Sequence, residues 1–243
     1  MPSLVRYESR GQFCSSRLSS SSPTTHMLEF RPDTERHPLT ILLVGAHCDD
    51  IEIGSGGAVQ RLVSLHPNAR FVWVTLSSDG QRADETCAAA SRLLAGATDA
   101  VVLIEKFKGS YFPHCGPALK DYFETLKAFK PDLIFTHYRH DLHQDHRVVN
   151  ELTWNTFRDH TILEYEIPKF DGDLGTPNVF FALTRAEMKR KCDILLECFP
   201  SQLQRQWFTR DTFEAIARLR GIECNAPEGF AEAFHGRKLR LFP

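Results

Sequence analysis

The chain lacks the features of a membrane-spanning, nucleic-acid-binding or disulfide-stapled protein. No uninterrupted apolar run approaches the ~18 residues that a spanning helix requires, the longer runs being of the size of Ile41 to Ala46. No spanning helix and no stable membrane anchor are therefore expected. An excess of positive charge is missing too: 29 lysines and arginines stand against 31 acidic residues, a formal charge of −2. Without a basic surplus there is no electrostatic case for a dedicated nucleic-acid binder. Paired cysteines are also absent. Cys14, Cys48, Cys87, Cys115, Cys192, Cys198 and Cys224 are odd in number and scattered, and none forms a Cys-x-x-Cys pair. That pattern argues against a disulfide framework and a zinc knuckle, and it places the chain in a reducing, cytoplasmic compartment.

What is present is ordinary globular material. Of 243 residues, 42% are hydrophobic and 25% charged, enough for one substantial core. Residues 1–38 read as a disordered N-terminal extension and 39–243 as a single domain. The first 28 residues hold eight serines, with Arg6, Arg10 and Arg17 against Glu8 alone, and such a composition cannot build a core. It suits a floppy tail, a transit peptide, or an over-long start with translation beginning at Met27.

From Thr40 onward, short apolar runs alternate with helical periodicity. Thr40 to Ala46, Phe71 to Leu76, Ala100 to Ile104 and Leu133 to Thr136 have the near-continuous apolar character of strands covered on both faces. Between them Val59, Leu62 and Val63, then Ala90, Leu93 and Leu94, then Leu119, Tyr122, Phe123 and Leu126 recur at spacings of three and four, as one helix face does. A fourth helix is expected from His146 to about Phe157. Strands follow near Ile162 to Ile167 and Val179 to Leu183, then a helical stripe of Met188, Cys192, Leu195 and Phe199, and a last helix over Thr212 to Arg220. Strict alternation of strand and helix implies right-handed crossovers and a parallel sheet.

Two polar clusters begin where buried strands end: Ala46-His47-Cys48-Asp49-Asp50, and the run His137 to His146 with its four histidines and two aspartates. In a doubly wound sheet of order 3-2-1-4 the first and fourth strands are neighbours, and ligands bind in the crevice beyond their carboxyl ends. The two clusters should therefore face each other. Aspartates and histidines gathered in such a crevice repel unless a cation holds them. Imidazole and carboxylate suit zinc, with three protein ligands and one open position in a catalytic site. His47, Asp50 and His146 are the expected ligands. Asp49 and His143 are left near the open position, and Asp145 can orient a histidine from behind. A chance gathering of solvated loop residues is the blander alternative.

These residues resemble the PIG-L/LmbE-like deacetylases, whose signatures are Ala-His-Pro-Asp-Asp after the first strand and His-Pro-Asp-His after a later one. Here they read Ala46-His47-Cys48-Asp49-Asp50 and His143-Gln144-Asp145-His146. The flanks agree as well, in Ile51-Glu52-Ile53-Gly54-Ser55-Gly56-Gly57 and Arg147-Val148-Val149, and the likeness runs from about Thr40 to Phe234. The resemblance implies a Rossmann-like fold and zinc-dependent hydrolysis of an N-acetyl group on an amino sugar or its conjugate. It further implies one zinc held by His47, Asp50 and His146, Asp49 as general base and later acid, and His143 paired with Asp145 to steady the oxyanion. Where the family has proline this chain has Cys48 and Gln144. The first change removes a fixed φ and puts a thiol beside the ligands.

Arg82 and Glu85 fall where the family often places substrate-facing groups, although a helix-surface pair explains that spacing equally well. Arg139 borders the crevice by sequence, as do His140 and Asp141, and Glu232 is expected to close it from the carboxyl-terminal segment. Gly54, Gly56 and Gly57 make no dinucleotide fingerprint and suit a close approach of helix to sheet.

The reading is an α/β protein, a Rossmann-like three-layer sandwich with a mostly parallel sheet whose order begins 3-2-1-4. It acts as a zinc-dependent N-deacetylase on a small N-acetylglucosamine-type substrate, and a homo-oligomer is compatible with the sequence. Two rivals remain open: a non-haem iron oxygenase using the same two histidines and carboxylate, and a non-catalytic nucleotide-type binding module.

Overall fold

The computed structural model describes Met27, Glu29 and residues 37–240. Most of the extension expected over 1–38, and Cys14 with it, lies outside the described residues. The strands are β1 (Thr40–His47), β2 (Arg70–Ser77), β3 (Asp99–Ile104), β4 (Leu133–His137), β5 (Thr161–Tyr165), β6 (Val179–Leu183) and β7 (Phe230–Gly236). The helices are α1 (Asp50–Leu65), α2 (Gly80–Leu93), α3 (Gly116–Leu126), α4 (Gln144–Thr156), α5 (Arg185–Cys198) and α6 (Arg210–Glu223). The strands form one seven-stranded sheet of order β3-β2-β1-β4-β5-β7-β6. The first five run parallel and the last two join antiparallel, so the expected 3-2-1-4 beginning is present.

Alternation along each strand sorts its side chains to the two faces of the sheet. Ile41, Leu43, Phe71 and Trp73 enter one core with residues of α1, α2, α5 and α6, among them Val59, Leu93, Leu195 and Phe213. Leu42, Val44, Ala46, Val72 and Val74 enter a second core with Leu119 and Phe123 of α3 and Val149 of α4. This is the three-layer sandwich.

Three expectations need correction. β3 is an edge strand and partly exposed, so its apolar run is not covered as the inner strands are. β5 stops at Tyr165 rather than Ile167, and residues 166–178 run on without regular structure. β7 was not foreseen: its alternating Ala231-Glu232-Ala233-Phe234 slots between β5 and β6, an insertion that order along the chain cannot reveal.

Close approach explains one glycine of the segment that follows the first cluster. A Cβ on Gly54 would lie 2.6 Å from Cγ of Tyr165 and nearer still to Cδ2, so only glycine lets α1 lie against that ring. Tyr165 is fully buried and donates its hydroxyl proton to the Val44 carbonyl at 2.6 Å. It thereby braces β1 just before the first cluster.

Candidate metal centre and active site

β1 and β4 are adjacent and parallel, and their carboxyl ends deliver both clusters to one place. His47 and His137 are the last residues of these strands. The turn after β1 is made by Asp49, which takes the left-handed conformation (φ 88°). Aspartate is among the few non-glycine residues that tolerate it. The turn sets Asp50 as the first residue of α1, where the helix dipole favours a carboxylate. On the other side His143 caps α4, with Asp145 and His146 in its first turn.

Each of two histidines has a carboxylate behind it. Nε2 of His47 lies 2.9 Å from Oδ2 of Asp145, and that aspartate also accepts from the amides of Ser110 at 2.5 Å and Phe112 at 3.1 Å. Nδ1 of His146 lies 2.8 Å from Oδ2 of Asp141. The opposite nitrogens, Nδ1 of His47 and Nε2 of His146, face each other at 3.3 Å. Both lie 3.5 Å from an oxygen of Asp50, whose Oδ2 also accepts from the His47 amide at 2.7 Å. His47 meets Oδ2 and His146 meets Oδ1 of that carboxylate, and these separations are close to the roughly 3.3–3.4 Å that tetrahedral ligand bonds of about 2.0–2.1 Å set between donor atoms.

Two further histidines come within reach of this centre. By proximity, cation-competent groups are His47, His143 and His146, and also Asp50, His137 and His146, each with ligand atoms within 4.8 Å of one another. Hydrogen bonding separates the four imidazoles. Nδ1 of His143 accepts from the Asp145 amide at 3.2 Å, and Nε2 of His137 accepts from the Ala46 amide at 2.9 Å. A neutral imidazole has one lone pair; in His143 it is spent on the backbone, whereas Nε2 of His137 meets both the Ala46 amide and, at 3.2 Å, Oδ2 of Asp50. In His47 and His146 the carboxylates take the ring proton, so the lone pair is left for the centre. The donor set His47, Asp50 and His146 therefore fits a divalent cation with the carboxylate–histidine support usual for such ligands.

The electrostatics say the same. Burial acts most strongly on His47 and alone would lower its pKa, but hydrogen bonds and charges from Asp145 and Asp50 outweigh it and raise it to about 10. The cluster thus demands a positive charge, supplied without a metal by a proton. Burial, with His137 beside it, holds His146 neutral at about 3. Burial also lowers His143; as a neutral ring accepting at Nδ1, it presents Nε2–H as a donor. Asp49 is buried, which pushes its carboxyl up to about 7 despite the opposing charge of Arg82, with Asp50 adding to the rise.

The remaining expected site residues fall into two groups. Nη2 of Arg82 lies 3.1 Å from Oδ2 of Asp49 and also bonds the Cys48 carbonyl, so it holds the aspartate. Arg139 is exposed, and its amide donates to Oε2 of Glu164 at 3.0 Å. Glu85 and Glu232, expected at the substrate, are committed to the protein itself. Glu85 is buried and takes the amide and hydroxyl of Ser201. Glu232 accepts from the amides of Gly57 and Ala58 and pairs with buried Lys191 at 2.6 Å. Asp145 stands behind His47 rather than pairing its carboxylate with His143. The Cys48 thiol is buried and directed to the Ser77 carbonyl. The reading from sequence placed Asp141 only at the border of the crevice and gave His137 no role; the signal was Asp141's place in the Asp-x-His-x-Asp-His run and His137's at the end of β4.

Comparison with known proteins accords with this geometry. Residues 42–157, which contain both clusters, match the family model PIG-L, GlcNAc-PI de-N-acetylase. Among solved structures, the chain is similar to the 4-carboxy-2-hydroxymuconate hydratase GalB of Pseudomonas putida (16% identity, 84% of this chain and 98% of that one, TM-score 0.68). It is likewise similar to the conserved protein TT1542 of Thermus thermophilus (18%, 84% and 97%, 0.67). A third likeness is to the N,N'-diacetylchitobiose deacetylase of Pyrococcus horikoshii, complexed with its inhibitor MPG (18%, 83% and 84%, 0.62). At such identities the likeness is one of fold.

Proposed function

We propose that this protein is a zinc-dependent hydrolase that removes an N-acetyl group from an N-acetylglucosamine-type amino sugar or its conjugate, with one zinc ion held by His47, Asp50 and His146. The observation that carries the reading is the pair of carboxylate-backed imidazoles whose free nitrogens meet beside Asp50, within a PIG-L domain. A divalent cation bound there supplies Lewis-acid polarisation of an amide carbonyl and of water.

The chain's own residues do the rest. Asp49, held by Arg82 and raised towards neutrality by burial, takes a proton from the attacking water and returns it to the departing amine. His143 offers its Nε2–H to the oxyanion that develops on the acetyl oxygen. Acetate and a free amine result.

The fold by itself does not choose this chemistry, because a neighbour of the same architecture is a hydratase. The family match over both clusters favours amide hydrolysis. The deciding experiment incubates zinc-loaded protein with N-acetylated sugars, nucleotide sugars and inositol- or cysteine-linked glycosides and measures released acetate. Zinc-dependent acetate release from an N-acetylglucosamine compound is expected. Oxygen uptake by iron-loaded protein, or no divalent-ion binding at all, would overturn the proposal in favour of an oxygenase or a binding module respectively.

A further inference from the structure

The two carboxylates behind the histidines are themselves held by different means. Asp145, behind His47, rests on the amides of Ser110 and Phe112. Asp141, behind His146, is held by a side chain from the irregular segment 166–178, far from either signature. Nζ of Lys169 lies 3.0 Å from Oδ2 of Asp141, the oxygen that also meets Nδ1 of His146. The lysine side chain is 9% exposed and that of Asp141 2%. Lys169 also contacts Oδ2 of Asp173 at 2.5 Å, an oxygen that accepts from the Leu142 amide at 2.6 Å. The other Asp141 oxygen accepts from the His143 amide at 2.8 Å.

Donor and acceptor rules turn this geometry into a constraint. An ammonium has three donors and no acceptor, so Oδ2 of Asp141 must accept from it, and the carboxylate is kept in its ionised form. An oxygen that accepts from Lys169 offers no proton to His146, so the ring proton of His146 must sit on Nδ1. Its lone pair is then on Nε2, facing His47 and Asp50.

We propose that Lys169 is a positioning residue for the cation centre, fixing His146 through Asp141 in the tautomer that can bind a metal. This rests on the proposed function. It makes segment 166–178 a working part of the site, and it makes support of the two histidines asymmetric: loss of the lysine disturbs His146 and leaves His47 in place.

The test compares the full chain with Lys169→Met, Lys169→Arg, Asp141→Asn, the Lys169→Met/Asp141→Asn double variant, and Asp173→Ala, which removes the lysine's other partner together with the bond to the Leu142 amide and leaves the contact of Lys169 with Asp141. Zinc affinity is measured by competition with a chromophoric chelator, and the His146 tautomer by long-range nitrogen–proton correlation spectra of metal-free protein. Lys169→Met should weaken zinc binding about 10- to 100-fold, as losses of support behind a ligand do, and Lys169→Arg should restore most of it. The double variant should bind no worse than Asp141→Asn alone, Asp173→Ala should stay within about threefold of the parent, and His146 should lose its Nδ1–H signature in Lys169→Met. Unchanged affinity and tautomer in Lys169→Met, losses that multiply in the double variant, or an equal loss in Asp173→Ala would each overturn the proposal. If the parent binds no zinc, the reading of the centre falls, and the tautomer spectrum still decides the role of Lys169.

Discussion

Replacing Asp145 by asparagine separates two roles for that residue. Its Oδ2 faces two donors, Nε2 of His47 at 2.9 Å and the Ser110 amide at 2.5 Å, and its Oδ1 faces the Phe112 amide at 3.1 Å. An asparagine can turn its oxygen to only one side. If its NH2 points at His47 and Ser110, donor meets donor and the His47 ring loses its anchor. If it points at Phe112, that buried amide is orphaned. Either way at least one donor is left unsatisfied, which costs about 1–3 kcal/mol. Loss of support behind a metal ligand typically weakens binding about 10- to 100-fold. Zinc affinity of Asp145→Asn, read by chelator competition, is therefore expected to fall by one to two powers of ten, with apo-protein stability falling by about 1–3 kcal/mol. The resemblance to the deacetylases implies instead a partnership of Asp145 with His143, under which kcat would fall and zinc affinity would not change. That second outcome would refute the placement of Asp145 behind His47.

Other perturbations reach neighbouring parts of the site and the fold. Asp50→Ala should abolish stoichiometric zinc binding by elemental analysis, whereas Asp49→Ala should keep the metal and lose turnover; full activity in both would sink the assigned roles. His143→Ala should lower kcat on the order of 10²-fold with KM little changed if its Nε2–H serves the oxyanion, and an unaltered kcat removes it from the reaction. Gly54→Ala drives a methyl into the Tyr165 ring, so urea unfolding should show a loss of about 1–3 kcal/mol or more, and an unchanged midpoint would mean that α1 lifts freely from β5. Burial pushes the Cys192 thiol up to about 11. Its thiolate fraction at pH 8 is then about 10⁻³, and a disulfide reagent should modify exposed Cys87 long before it. The Cys192 rate should climb with pH until the thiol titrates; equal rates at pH 8 would contradict its burial.

The parts of the molecule that were legible in the sequence are those governed by local periodicity. The inner strands carry continuous apolar runs because both of their faces are covered, and their alternation with three-and-four-spaced helices leaves few topologies. Placement of His47 and His146 across a shared crevice followed from that topology. Less legible was anything decided by long-range insertion: β7 enters the sheet between two earlier strands, and its Glu232 is consumed by Lys191 and the α1 backbone. Glu85 misled for the same reason, since its partner, Ser201, lies beyond α5. Asp141 and Lys169 escaped because a side chain behind a ligand has no fixed spacing from it. Spacing reveals residues that share a turn or a helix face, and Lys169 shares neither with His146.

The most direct measurement is anomalous diffraction at the zinc edge from crystals of zinc-loaded protein. One peak per chain is predicted, about 2.0–2.2 Å from Nδ1 of His47, Nε2 of His146 and a carboxylate oxygen of Asp50, with His137 and His143 outside bonding distance. A peak ligated by His137 or His143 in place of one of these three, or no peak at full zinc occupancy of the solution, would contradict the assignment of the centre.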